Sequence, residues 1–106
     1  MRVLMAAVAL ALGCAMHAQT FSGTAFTILS SPSVSGSLTS SGGNNFTYAI
    51  PNFPGGTVTY VGPGSYSWEE DGGAAKGIIF WHEDLEGWCW LRTYPSVQGP
   101  YDFVVT

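Results

Sequence analysis

Thr57-Val58-Thr59-Tyr60-Val61-Gly62-Pro63-Gly64-Ser65-Tyr66-Ser67-Trp68-Glu69 is the stretch from which the fold can be worked outward. Gly62-Pro63-Gly64 reads as a turn, because Pro fixes φ and the flanking glycines accept the positive φ that tight reversals require. Folding the chain about that centre sets Val58 opposite Trp68 and Tyr60 opposite Tyr66, so four large side chains share one face. Thr57, Thr59, Val61, Ser65 and Ser67 take the other face and are mostly small and polar. One side of the hairpin is dry and the other wet, as in an antiparallel sheet packed on a core.

The same alternation recurs along the chain. Short runs rich in Thr, Val, Tyr and Phe lie between clusters of Gly, Pro, Ser and Asn, and no window after residue 18 carries a 3.6-residue period. Strands are expected near 24–30, 34–39, 45–50, 57–61, 65–70, 77–82, 88–94 and 101–105. The fold class is all-β: a small antiparallel β-sandwich, or a partly open barrel, of seven or eight short strands. Residues 30–45, rich in Ser and Gly, read as a loose edge strand or a long loop.

Met1–Ala18 has the layout of a cleavable export signal: Arg2, an apolar run from Val3 to Met16, and small residues at Ala15 and Ala18. The run is shorter than the roughly 20 residues a spanning helix needs. Removing 18 of the 106 residues leaves 88, residues 19–106, enough for a single exported β-domain. The expected location is secreted or at the cell surface. Leu12-Gly13-Cys14 has the look of a lipoprotein box, but Ala11 and Leu12 stand in the reverse of the usual large-then-small order, which argues against lipid anchoring through Cys14.

After cleavage Lys76 and Arg92 face seven acidic side chains, one unit more negative than the −4 of the whole chain. So few cations release few phosphate counterions, which argues against nucleic acid and anionic lipid as partners. Cleavage also leaves Cys89 without an intramolecular partner, so stability must come from packing. All four Trp, five Tyr and six Phe lie in the mature part, and most of them are needed as core.

A second hairpin, Ile78 to Arg92, carries more large groups than one face can bury. Turning through Glu83-Asp84-Leu85-Glu86-Gly87 sets His82 opposite Trp88, Phe80 opposite Trp90 and Ile78 opposite Arg92, leaving Ile79, Trp81, Cys89 and Leu91 for the opposite face. Flat rings on a sheet can stack on sugar rings while polar neighbours bond the hydroxyls. Trp88, Trp90, Tyr94, His82 and Arg92 are therefore the candidate ligand-binding residues; the competing reading is that Trp88 and Trp90 fill a second core layer, with Arg92 at its rim.

Other chemistry has less support. Glu69 and Asp71, and Glu83, Asp84 and Glu86, fall near expected turns and could offer oxygens to calcium, but neither cluster has the spacing of a calcium loop. With one histidine in the mature chain, a zinc site is not expected, and no cofactor is implied. His82 and Cys89 fall on opposite faces in this register, which opposes a thiol enzyme; Cys89 reads as a small buried hydrophobe. Carboxylate pairs among Glu69, Glu70, Glu83, Glu86 and Asp102 would be the basis of a small secreted hydrolase. Asn45-Phe46-Thr47 is a glycosylation sequon, relevant in a eukaryotic host.

The sequence thus points to an exported, non-catalytic β-domain that binds a glycan or a protein partner through an aromatic face. The alternative is a structural surface protein that assembles through sheet edges or through Cys89.

Overall fold

A computed structural model describes residues 20–30 and 33–106. The expected signal peptide, with Cys14, lies outside the described residues.

Eight strands follow one another: β1 (Ala25–Ile28), β2 (Val34–Gly42), β3 (Asn45–Ile50), β4 (Phe53–Gly62), β5 (Ser65–Glu70), β6 (Lys76–His82), β7 (Gly87–Tyr94) and β8 (Gln98–Val105). Each pairs antiparallel with the next, and β8 pairs back onto β1, Ile28 facing Phe103 and Phe26 facing Val105. All eight expected strands are present, with ends displaced by a few residues. Of the two all-β arrangements the barrel is the one formed, and it is closed rather than partly open. Closure gives the backbone groups of the first and last strands partners, which an open sheet of this size leaves exposed.

The first hairpin has the expected register, with Val58 opposite Trp68 and Tyr60 opposite Tyr66. Their face is the barrel interior: Val58 and Tyr66 are fully buried, while Thr57 and Thr59 face solvent. The middle of the interior is filled by Phe26, Leu38, Val58, Ile79 and Phe103, all buried. Each such side chain contributes about 1.5–3 kcal/mol through removal from water.

The Ser/Gly-rich segment is neither a loop nor a loose edge. β2 is paired on both sides, Ser37 with Ala25 and with Ala49. Its small residues have a packing reason. A Cβ on Gly36 would stand 2.5 Å from the Phe26 ring and 2.6 Å from the Ala49 carbonyl, so only glycine leaves room for that ring. Ser35 and Ser37 face water on the outside.

The second hairpin is shifted by one residue from expectation. Its loop is Glu83–Glu86, so His82 pairs with Gly87, Trp81 with Trp88, Ile79 with Trp90 and Gly77 with Arg92. Glu86 takes the left-handed conformation (φ 50°), and Gly87 is already in the strand. A single residue of loop length moves every side chain of β7 to the other face relative to β6. Ile79, Trp81, Trp88, Trp90 and Arg92 consequently face inward, and Ile78, Phe80, His82, Cys89 and Leu91 face outward.

Candidate functional site

Strands β3, β5 and β7 run in the same direction, so inward side chains two residues apart form successive layers. Phe46, Tyr66 and Trp88 make one layer, with ring centroids 6.4 Å (Phe46 to Tyr66) and 5.7 Å (Tyr66 to Trp88) apart. Tyr48, Trp68 and Trp90 make the next, with Trp68 and Trp90 5.0 Å apart and Tyr48 and Trp90 5.3 Å apart edge to face. Each layer lies toward one end of the barrel.

The first end is closed by the chain itself. Phe21, which precedes β1, inserts its ring between the side chains of the first layer. It stacks on Tyr66 at 4.3 Å with planes 6° apart and meets Trp88 edge-on at 4.7 Å. Its backbone N–H donates to Tyr66 Oη at 3.0 Å, so the buried phenol and the buried amide are both bonded. Burial pushes the Tyr66 phenol up from its ordinary value, with the Phe21 bond acting in the opposite direction.

The second end is open. A cavity of about 370 Å³ is lined there by Tyr48, Trp68, Trp90 and Tyr101, by apolar rim residues such as Phe53 and Ile50, and by Glu70, Arg92 and Gln98. That volume falls within the roughly 300–1,000 Å³ of small-molecule sites, which commonly occupy the mouths of barrels. Trp68 is held by its indole N–H, which donates to the Leu91 carbonyl at 3.1 Å. Arg92 is tethered by two bonds to the β7–β8 turn, Nε to the Ser96 carbonyl at 3.0 Å and Nη2 to Ser96 Oγ at 2.8 Å.

Tyr48 is the unusual member of the cavity wall. It is only 5% exposed, yet among the described residues its Oη has no hydrogen-bond partner. Burial, followed by the negative charges of Glu70 and Asp71, pushes its pKa to about 12. It is therefore a neutral donor over the whole physiological range. The Glu70 carboxylate likewise has no hydrogen bond or ion pair among the described residues.

The five candidate residues are not on one face. Trp88 and Trp90 are buried inside, Trp88 under the plug and Trp90 at the floor of the mouth. Arg92 reaches the mouth. His82 lies outside, where its Nδ1 accepts from the Leu85 amide at 3.4 Å. Tyr94 is 52% exposed, with the Lys76 ammonium 5.3 Å from its ring centroid. Trp90 and Arg92 are thus brought together, and Tyr48, Trp68, Glu70 and Tyr101 join them. A signal for this was present in the sequence: Glu70 and Arg92 continue the inward positions 66-68 and 88-90, and a charge on an inward position marks a strand end that opens to solvent.

The corrected register also places Cys89 and His82 on the same outer face, not on opposite ones. They form no pair there. Cys89 Sγ donates to Asp102 Oδ1 at 3.5 Å, and burial, with Asp102 adding to it, pushes the thiol up. Cys89 is 3% exposed, too covered to bridge two folded chains, and the closed barrel has no unpaired strand edge among its eight strands.

Glu69 and Asp71 sit at the mouth end and Glu83, Asp84 and Glu86 at the plugged end. Among the described residues no group of three or more His, Cys, Asp or Glu is placed to hold a metal ion. Asn45 is exposed, and its Oδ1 accepts from the Tyr60 amide at 2.8 Å. No family model, curated protein or solved structure matches the chain.

Proposed function

We propose that this is an exported, non-catalytic binding protein that receives a sugar residue of a glycan in the open mouth of its barrel. The observation that carries the proposal is the mouth itself: Trp68, Trp90 and Tyr101 around one cavity that also contains Glu70 and Arg92. Rings supply apolar faces for the C–H surface of a pyranose, and a few convergent polar groups fix its orientation. Among the described residues lining the cavity Glu70 is the single carboxylate, whereas glycoside hydrolysis uses two. This favours binding over turnover. The apolar run at Val3–Met16 supports export and a secreted or cell-surface location.

The test is intrinsic Trp fluorescence titrated with a panel of mono- and oligosaccharides. Saturable quenching or enhancement is expected, and Tyr101→Ala, at the partly exposed rim, should weaken it by about tenfold. A folded wild-type protein silent across the panel overturns the proposal.

A second reading, self-assembly, is favoured by a different observation. Ile78, Phe80 and Leu91 form an apolar patch on the outside of β6–β7, where Ile78 pairs with Leu91 and is exposed. Sedimentation over a concentration series tests it, and a strictly monomeric species removes it.

A further inference from the structure

We infer that the mouth selects an uncharged sugar and holds one of its hydroxyls between Tyr48 and Glu70, Tyr48 Oη donating to the hydroxyl oxygen and the hydroxyl donating to the Glu70 carboxylate. This rests on the glycan reading of the mouth and specifies the chemistry of its ligand.

Tyr48 is buried and lines the cavity, and among the described residues its Oη has no hydrogen-bond partner, so an oxygen brought by a ligand meets an available donor. The Glu70 carboxylate can only accept. A group that lies between them must therefore accept on one side and donate on the other. A hydroxyl does both. A carboxylate, phosphate or sulfate can satisfy Tyr48 but has nothing to give Glu70, and it brings a negative charge beside Glu70 and the neighbouring Asp71. An ammonium can satisfy Glu70 but leaves Tyr48 without an acceptor. Arg92 is tethered through Nε and Nη2 to Ser96, and its Nη1, which has no partner among the described residues, donates to a second oxygen of the ring.

The same geometry explains why Gly56 lies beneath Tyr48. A Cβ there would stand 2.7 Å from Tyr48 Oη and 2.2 Å from the Glu69 carbonyl, so any larger residue would displace the phenol.

The experiment compares glucose, galactose and mannose with their uronates and their 2-amino-2-deoxy forms, by fluorescence and calorimetry, on wild type, Tyr48→Phe and Glu70→Gln. At least one neutral hexose should bind wild type about tenfold more tightly than its uronate and its amino form, a gap of about 1.4 kcal/mol. Tyr48→Phe should weaken the neutral sugar about fivefold or more while the protein remains folded by circular dichroism. Glu70→Gln, which can donate as well as accept, should narrow the uronate gap to about threefold. A uronate that binds wild type as well as its parent hexose overturns the inference, as does an unchanged affinity in Tyr48→Phe or an unchanged gap in Glu70→Gln. In each case the glycan reading survives, because sugars still bind. Silence of folded wild type toward every sugar overturns both.

Discussion

The two ends of the barrel are built from the same three strands, two residues apart, and differ in what fills them. Phe46, Tyr66 and Trp88 enclose Phe21, whose amide satisfies the Tyr66 phenol; Tyr48, Trp68 and Trp90 enclose a cavity, and the Tyr48 phenol has no partner among the described residues. Ring density is nearly equal at both ends, so it cannot separate core from site. What separates them is whether the chain supplies its own ring and its own hydrogen bond. At the plugged end it does, and that end is core. At the mouth the inward positions pass from rings to Glu70 and Arg92, and these polar groups line the cavity.

The largest effect expected from breaking this contrast is at the plug. Phe21→Ala removes a ring that is 7% exposed and packed on Tyr66, Trp88, Phe46 and Phe103. A loss of about 3–5 kcal/mol in urea unfolding is expected, and one below about 1 kcal/mol would show that the plug is dispensable. Next is Gly56→Ala at the mouth. The new Cβ collides with the Glu69 carbonyl and Tyr48 Oη, and a loss of about 1–3 kcal/mol is expected. Sugar binding should fall with it, while in Phe21→Ala the folded fraction should still bind.

Reading the strands from sequence succeeded where alternation and turn chemistry agreed. Gly62-Pro63-Gly64 centred the first hairpin, and its register followed. The second hairpin misled because Gly87 is the natural residue for a left-handed loop position, whereas Glu86 occupies it and Gly87 pairs with His82. That one residue joined His82 to the wrong rings and separated it from Cys89. The mouth was only half legible. Trp90 and Arg92 could be named from one hairpin, but Tyr48, Trp68 and Tyr101 join them through barrel closure and the register of all eight strands. Phe21 carries no local signal, since it precedes the first strand and acts through Tyr66, which is 45 residues away.

Two conservative substitutions, one at each end, sharpen the contrast with smaller effects. Tyr66→Phe keeps the ring stacked on Phe21 and removes only the oxygen that accepts the Phe21 N–H. The amide is then buried without a partner, and a loss of about 1–3 kcal/mol in urea unfolding is expected. If stability were unchanged, the plug would be held by ring packing alone.

Tyr48→Phe is the matching change at the mouth and should be nearly silent at neutral pH, within about 0.5 kcal/mol of wild type, because it removes an oxygen that has no hydrogen-bond partner among the described residues. Its effect should emerge in alkali. The Tyr48 pKa lies near 12 in the folded protein against 10.0 for an unperturbed tyrosine, so between these values the unfolded chain has released a proton that the folded chain retains. Ionisation of this group therefore leaves wild-type stability untouched below pH 10 and lowers it as the pH rises toward 12. Tyr48→Phe cannot lose it, so its stability should fall less steeply across that window, and its tyrosinate absorbance should lack the latest-titrating component. Tyr66, also raised, remains in the variant and accounts for part of the residual decline. An identical alkaline decline in wild type and Tyr48→Phe would mean that the Tyr48 phenol is open to solvent rather than buried at the mouth, and the difference between the two ends would then rest on the Phe21 plug alone.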